Sequence, residues 1–248
     1  MKITNFTLFT LLITMGFGVF SVPSNETEAL RGMDLDDPET LGEILAVAVP
    51  LHDLREQSHS EGMLYYQGNT NKPFSGWTRR MYKNGHVEGL VRLEMGERVS
   101  LYQWFPNGQI ASQENLKQDK RDGMYISWAE DGVKVQESNY KEGNLDGLNT
   151  SWYRNGQNRS KVLWKDGQKD GFSIFWYSNG GKKAQLQWEK GKMISAEAWK
   201  ANGEKCPETR VKNGNGVYVK RDGTGAKLWS VTYKKGEGSP NPPPAQTR

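Results

Sequence analysis

From residue 76 to residue 203 apolar and polar positions alternate with a period of two, in short runs broken by glycine-containing turns. After Gly171, Phe172, Ile174 and Trp176 point to one side of an extended chain, while Ser173, Phe175 and Tyr177 point to the other. Met124, Ile126 and Trp128 keep the same phase, as do Leu148, Thr150 and Trp152. On each returning run the eighth residue after the turn glycine is large (Leu93, Leu116, Tyr140, Trp164 or Trp188). The fourth is mostly small (Gly89, Ser112, Gln136, Ser160 or Ala184), and parity places both on one face. The pattern predicts paired strands with large side chains stacked beside small ones.

The turns repeat as well. Asn84-Gly85, Asn107-Gly108, Asp131-Gly132, Asn155-Gly156, Asn179-Gly180 and Asn202-Gly203 are separated by steps of 23, 24, 24, 24 and 23 residues. Three positions before each stands Met81, Trp104, Trp128, Trp152, Trp176 or Trp199. Asp122-Gly123, Asp146-Gly147 and Asp170-Gly171 recur out of phase, with Ser75-Gly76 as a weaker copy. Asn-Gly and Asp-Gly favour type I′ hairpin turns, whose two central residues need positive φ. Two such turns per repeat predict one hairpin per repeat, with Gly123, Gly147 and Gly171 at the second turn. Gly96–Ser100 and Gly191–Ser195 replace that turn and are a residue short, which predicts different turns there. The copy from Gly216 to Gly223 is expected to be a capping hairpin. A lone hairpin is marginal in water. Each buried Trp or Leu contributes about 1.5–3 kcal/mol, and that burial needs the neighbouring repeat. The expected fold is all-β: an elongated, twisted antiparallel sheet of stacked β-hairpin repeats with a period of about 24 residues. Its core is expected to be a column of Trp104, Trp128, Trp152, Trp176 and Trp199.

The flanks differ in character. Lys2 is followed by no charge until Glu26, and Phe6–Phe20 has the length of a signal-peptide apolar region. Residues 1–21 are therefore expected to be a secretory signal, with an uncleaved anchor as the alternative. No Cys follows the apolar region, so a lipoprotein anchor is not supported, and the body is expected to be exported. Residues 22–62 read as an acidic linker with one short helix over Thr40–Val47, acids at its start and Pro50 as its stop. Residues 63–235 form the repeat array, and the Pro-, Gly- and Ser-rich residues 236–248 are expected to be a disordered tail.

Composition narrows the chemistry. Among 248 residues there are 28 Gly, 9 Trp, 10 Tyr and 8 Phe, a profile of short strands rather than of a disordered chain. A mean hydropathy of -0.79 excludes a polytopic helical membrane protein. One Cys cannot form an internal disulfide, and three His make a zinc site improbable. In an oxidising compartment Cys206 would be a free thiol or an intermolecular bridge. Residues 23–62 carry ten acids against two bases, a net -8; with +1 from Lys2, the overall +4 leaves +11 for the body from Met63 on. The bases form either a solvated repeat surface or a surface for an acidic partner, polymer or lipid, and none of their runs is dense enough for nucleic acid. Asp122, Asp146 and Asp170 belong to turns, at a repeat spacing too wide for a retaining carboxylate pair. His52, His59 and His86 lack metal-ligand spacing, and no phosphate loop or nucleophile motif is present. No enzyme, cofactor or metal is expected.

The units Lys141-Glu142-Gly143-Asn144-Leu145-Asp146-Gly147 with Trp152-Tyr153-Arg154-Asn155-Gly156, and Lys165-Asp166-Gly167-Gln168-Lys169-Asp170-Gly171 with Trp176-Tyr177-Ser178-Asn179-Gly180, resemble the MORN-repeat variant of bacterial proteins labelled YwqK-type antitoxins. The likeness covers about residues 62–205. It implies direct contact with a partner protein, a toxin in the antitoxin version. MORN repeats more widely imply phospholipid contact or scaffolding. The residues themselves point to a row one position beyond each Trp, on the opposite face: Tyr82, Phe105, Tyr153 and Tyr177, flanked by Arg154, Arg159, Lys161 and Lys183. Tyr and Arg are enriched at contact hot spots, so this row is the expected binding strip. The expected function is a non-enzymatic surface for protein–protein interaction, or else a basic aromatic face that meets an anionic membrane or cell envelope.

Overall fold

The computed structural model describes Leu35, residues 37–60 and residues 62–241. The expected signal segment, most of the linker before Pro38 and the end of the expected tail lie outside the described residues. The chain divides into two compact units, residues 1–41 and 42–248. The first contributes the start of α1 (Pro38–Val47). Asp37 caps it, its carboxylate accepting from Thr40 N at 2.9 Å and Thr40 Oγ1 at 2.6 Å.

In the second unit, β1 (Val49–Pro50), a 3₁₀ turn (Leu51–Asp53), β2 (Leu54–His59) and β3 (Gly62–Gln67) precede the repeats. The repeats supply β4 (Gly76–Met81), β5 (Val87–Glu94), β6 (Glu97–Trp104), β7 (Ile110–Lys117), β8 (Lys120–Trp128) and β9 (Lys134–Lys141). They continue with β10 (Asn144–Trp152), β11 (Asn158–Lys165), β12 (Gln168–Trp176) and β13 (Lys182–Glu189). β14 (Lys192–Ala198), a short β15 (Arg210–Lys212), β16 (Asn215–Arg221), β17 (Lys227–Lys234) and β18 (Glu237–Asn241) follow. β4 to β18 pair in chain order as one open antiparallel sheet, with β1 added in parallel to β4, giving 16 strands. β2 and β3 form a separate hairpin. Residues 237–241, expected in the tail, instead pair with β17.

The period is as the sequence indicates, but the two turn types are exchanged. At the Asn-Gly sites only the glycine has positive φ: 85° at Gly85, 80° at Gly156 and 84° at Gly180. Gly85 N donates to Tyr82 O at 3.0 Å and Tyr82 N to His86 O at 2.8 Å, a type I turn closed by a left-handed glycine. The two-residue turns with both φ positive are Met95-Gly96, Gln118-Asp119, Glu142-Gly143, Asp166-Gly167, Lys190-Gly191, Asn213-Gly214 and Lys235-Gly236. Met95-Gly96 and Lys190-Gly191 are thus ordinary members of the series. The Asp-Gly pairs lie inside β8, β10 and β12, where Gly123, Gly147 and Gly171 (φ 105–109°) form bulges that shift the register. A Cβ on Gly171 would come within 2.7 Å of Leu163 Cδ2, so the bulge also makes room for the neighbouring strand's side chain.

The aspartates before two of those glycines hold the next turn. Asp122 Oδ2 accepts from Glu142 N at 3.0 Å, and Asp146 Oδ2 from Asp166 N at 3.1 Å. Along the other long edge, Asn84, Asn107, Asn155 and Asn179 each donate from Nδ2 to a carbonyl of the next repeat's turn, at 2.7–3.2 Å.

The tryptophan column is less buried than expected. Trp104 is 5% exposed, but Trp128, Trp152, Trp176 and Trp199 are only half-buried. Met124, Leu148 and Phe172, on the same face, are 38%, 37% and 38% exposed. Alternation decides which side chains share a face; it does not supply a second layer to cover them. At β4 that face carries Arg79, whose Nη1 donates to Leu45 O of α1 at 3.1 Å, and beside it Leu90 is fully buried. The opposite face is covered at its start by the β2–β3 hairpin, through Leu54, Tyr65 and Leu93. Asp119 fastens that hairpin: Oδ2 accepts from Met63 N at 2.6 Å and Oδ1 from Arg98 Nε at 2.8 Å. This explains a non-glycine residue at φ 57° in a two-residue turn.

Burial pushes the Asp119 pKa up, but Arg98 and the Met63 amide outweigh it, so the native value lies below the usual 3.8. A carboxyl lowered by folding stabilises the fold above its unfolded value, and the effect is lost as pH falls through the native one. The Met63 amide is therefore expected to keep its hydrogen-exchange protection, corrected for intrinsic rate, at pH 5 and to lose it well below pH 3.8. Asp119→Asn should lose much of that protection at pH 5.

Tyr177, 2% exposed, donates from its hydroxyl to Trp199 O at 2.9 Å. Tyr177→Phe should lower stability by about 1–2 kcal/mol in equilibrium urea unfolding, because a buried carbonyl loses its donor. Wild-type stability in that variant would show the contact to be idle.

Candidate functional site

The sheet turns a corner at β15, which pairs with β14 through Ala196–Val211 alone. Beyond it, β16–β18 fold back over the face opposite the tryptophans. Tyr218 and Tyr233 pack against Leu186, Met193 and Ala196, and Met193 N donates to Gly236 O at 3.0 Å. Between the folded-back strands and β11–β13 lies a cleft of about 630 Å³.

Five cations line it: Arg159, Lys169, Lys183, Lys220 and Arg221; no carboxylate does. Among the described residues only Arg221 has an ion-pair partner, Glu208, at 2.6 Å. It also donates to Cys206 Sγ at 3.1 Å and Gly225 O at 3.0 Å, and so is held as part of the corner. The lysines lie against aromatic rings. Lys169 Nζ is 4.6 Å from the Trp188 ring centre and 5.7 Å from that of Trp164. Lys220 Nζ is 5.0 Å from Trp229, and Lys183 Nζ is 5.2 Å from Tyr177. Lys183 Nζ also donates to Asp222 O at 3.0 Å.

Rings do not neutralise these charges. Burial lowers the Lys169 pKa, and Lys220 lowers it further. Burial likewise lowers that of Lys183; Asp222 raises it in part, while Lys220 and Arg159 oppose. Burial, with Tyr233 and Tyr177 nearby, pushes the Tyr218 phenol up to about 12, so it stays a neutral donor at physiological pH. The indole N–H of Trp188, on the cleft wall, is buried without a hydrogen-bond partner. Cations and a neutral phenol lining one cavity suit an anion with an apolar or flat body.

The expected strip is divided by the fold. Tyr153, Arg159 and Lys183 line the cleft, with Arg159 6.0 Å from the Tyr153 ring. Tyr177 is buried beneath Lys183 rather than presented. The hydroxyls of Tyr82 and Tyr153 are engaged by Trp104 O at 2.8 Å and Trp176 O at 2.7 Å, so these tyrosines, like Tyr177, bind the next repeat. Tyr82 and Phe105 line no part of the cleft. Arg154 is exposed on a turn and pairs with Asp131 at 3.3 Å. Lys161 is on the other face, between Thr150 and Ile174 in register.

Sequence reasoning missed Lys169, Trp188, Lys220, Trp229, Tyr218 and Tyr233. Parity alone could have joined Lys169 to the Trp164 and Trp188 column, since Lys169 is directly opposite Trp164. Nothing in the strand pattern announces the corner that brings Lys220 to them. The lone Cys206 is 1% exposed, a free thiol without the reach for an intermolecular bridge in the folded chain. His86 is held at its turn by Pro106 O at 2.7 Å, and His59 lies 3.3 Å from the Tyr66 hydroxyl. No known family's sequence profile matches this chain, and no curated protein is significantly similar to it.

Proposed function

We propose that this is a non-enzymatic binding protein whose long repeat sheet contacts a partner protein, with the cleft on the face opposite the tryptophans receiving an acidic segment of that partner. The observation that supports the reading most is a cavity with five cations, four of them without an ion-pair partner, and no carboxylate. Like charges held together out of water oppose folding, and an anionic ligand relieves them. The resemblance to antitoxin-type repeats favours neutralisation of a toxin as the specific form of this contact. The second reading, an anionic envelope or bilayer surface, draws on the same charge. It fits less well, because a concave cleft presents its lysines to an inserted chain rather than to a plane.

Titration of the intrinsic Trp fluorescence separates the two. A glutamate-rich peptide is expected to bind at low salt, to weaken as salt rises, and to lose at least about tenfold in Kd with Lys169→Met or Lys220→Met. Vesicles containing phosphatidylglycerol are expected to bind more weakly than the peptide and to be insensitive to those variants. Vesicle binding that depends on Lys169 would favour the envelope reading; no binding of either ligand would remove both. Lys169→Met should also raise the thermal midpoint by about 2–4 °C, corresponding to about 1 kcal/mol of relieved charge. A lower midpoint would mean that Lys169 serves the fold rather than a ligand.

A further inference from the structure

Among the described residues, the middle of the tryptophan face, over β7–β13, has no second layer. Its apolar side chains are Ile126, Ile174, Met124, Leu148, Leu163 and Phe172, with the half-buried rings of Trp128, Trp152 and Trp176 beside them. On the reverse side of the same strands one row runs Ser112, Ser127, Gln136, Ser151, Ser160, Phe175 and Ala184, polar over β7–β11 and apolar only where β16–β18 cover it. A sheet is stabilised by burying its apolar face against another layer, and here the apolar face is the bare one.

The order of side chains across that face points to the partner. Read from β7 to β13, one cross-strand row is Gln113, Ile126, Glu137, Thr150, Lys161, Ile174 and Gln185. About Thr150 the row is a palindrome in size and polarity, except that Glu137 on one side answers Lys161 on the other. The next row is Met124, Asn139, Leu148, Leu163 and Phe172 across β8–β12, matched about Leu148 at its ends, with Asn139 answering Leu163. The row beyond has Trp128 on β8 and Trp176 on β12, with Trp152 on β10. Rotation by 180° about an axis along β10, midway between two facing sheets, keeps each row opposite itself and exchanges β9 with β11 and β8 with β12. It sets Leu148 on Leu148, Met124 on Phe172, Trp128 on Trp176 and Glu137 on Lys161 twice over.

We infer that this face is an isologous interface between two copies of the chain, packed sheet on sheet as a two-layer sandwich centred on β10. At about 4.8 Å between strands and about 7 Å between rows on one face, the patch measures roughly 34 by 20 Å. Two copies would bury on the order of 1,400 Å², within the range of a specific interface. Among the described residues Lys161 has no ion-pair partner in the single chain. Glu137 is bridged to Lys134 at 2.9 Å, with both side chains 40% exposed, so its carboxylate has room for a second cation. The cleft is on the other face, so this interface does not rest on the ligand proposed for it.

The inference makes an asymmetric prediction. The full chain should run at twice its monomer mass in light scattering. Glu137→Lys alone and Lys161→Glu alone should each shift it toward monomer, raising the dimer Kd by at least about tenfold. An equimolar mixture of the two variants should regain the dimer, because both of its cross-pairs are again opposite in charge. The double variant should dimerise by itself. Loss of the Lys134 bridge would weaken Glu137→Lys but could not produce recovery on mixing. A monomeric wild type, or single variants that fail to complement, would overturn the inference. Should either reversal perturb the fold by circular dichroism, Leu148→Cys decides independently. It should cross-link to itself with a short bis-maleimide, which spans the roughly 10 Å between facing sheets that a disulfide cannot, with buried Cys206 silent, while Leu228→Cys, at a position 47% exposed, should not. Equal cross-linking of the two would exclude the face.

Discussion

The structure depends on contacts between turns that lie one repeat apart. Backbone pairing joins neighbouring strands, but it fixes neither the offset of one hairpin on the next nor the bend between them. Those are set along the two long edges. On one, the turn asparagine uses both ends of its amide: Asn155 Oδ1 accepts from Gln157 N at 3.2 Å, and Nδ2 donates to Ser178 O in the next turn. On the other, an in-strand aspartate accepts the first amide of the following two-residue turn. Each bond contributes about 0.5–1.5 kcal/mol net, less where it is exposed, yet the asparagine bond recurs at four turns and the aspartate bond at two, and together they oppose a one-residue slip, which would exchange the two faces. Where the third repeat has Asp131, the local bond to Val133 N survives at 3.2 Å. A carboxylate cannot donate onward, and Arg154 reaches back to it instead.

The same constraint accounts for what the sequence made legible. The period shows because the edge residues must recur: an Asn or Asp with its Gly at the turn, and the Asp-Gly pair inside the strand. Their conformations did not show. Asn-Gly is compatible with a type I′ turn and equally with a type I turn closed by a left-handed glycine. The true two-residue turns include Met95-Gly96 and Gln118-Asp119, which carry weak signals or none. Asp122 looked like a turn residue because it serves a turn, the one twenty residues later. Tyr153 and Tyr177 looked like a presented row because parity put them opposite the tryptophans, but parity is silent on whether a hydroxyl faces water or the next repeat.

The cleft was illegible for a different reason. Its lysines belong to two stretches, Arg159–Lys183 and Lys220–Arg221, that meet only because β15 is three residues long and lets the sheet fold over itself. No local propensity encodes that meeting. Its charges run against folding: Lys169 and Lys183 are both held below the ordinary lysine range by burial and by neighbouring cations. Conflict between local chemistry and stability of this kind collects where a molecule binds something. The fully buried Ser138 is under no such strain, its hydroxyl accepting from Gln136 Nε2 at 2.9 Å and Asn149 Nδ2 at 2.7 Å.

The two faces of one sheet are thus put to different uses by the same alternation. A 16-stranded open sheet has no closed core of its own, so each region must find its cover nearby. α1 lies against the start of the tryptophan face, the β2–β3 hairpin covers the start of the other, and β16–β18 cover that other face at the end. Among the described residues the central hairpins have no such cover on the tryptophan side, where Met124, Leu148 and Phe172 remain 37–38% exposed. If two copies cover each other there, both clefts are left facing outward, and occupancy of one surface does not compete with the other. A protein that grows by adding hairpins gains surface at both faces with every repeat. It needs some partner for the apolar face once the repeats extend beyond the reach of the terminal elements, and a face whose Thr150 row reads the same in both directions can meet that need with its own copy.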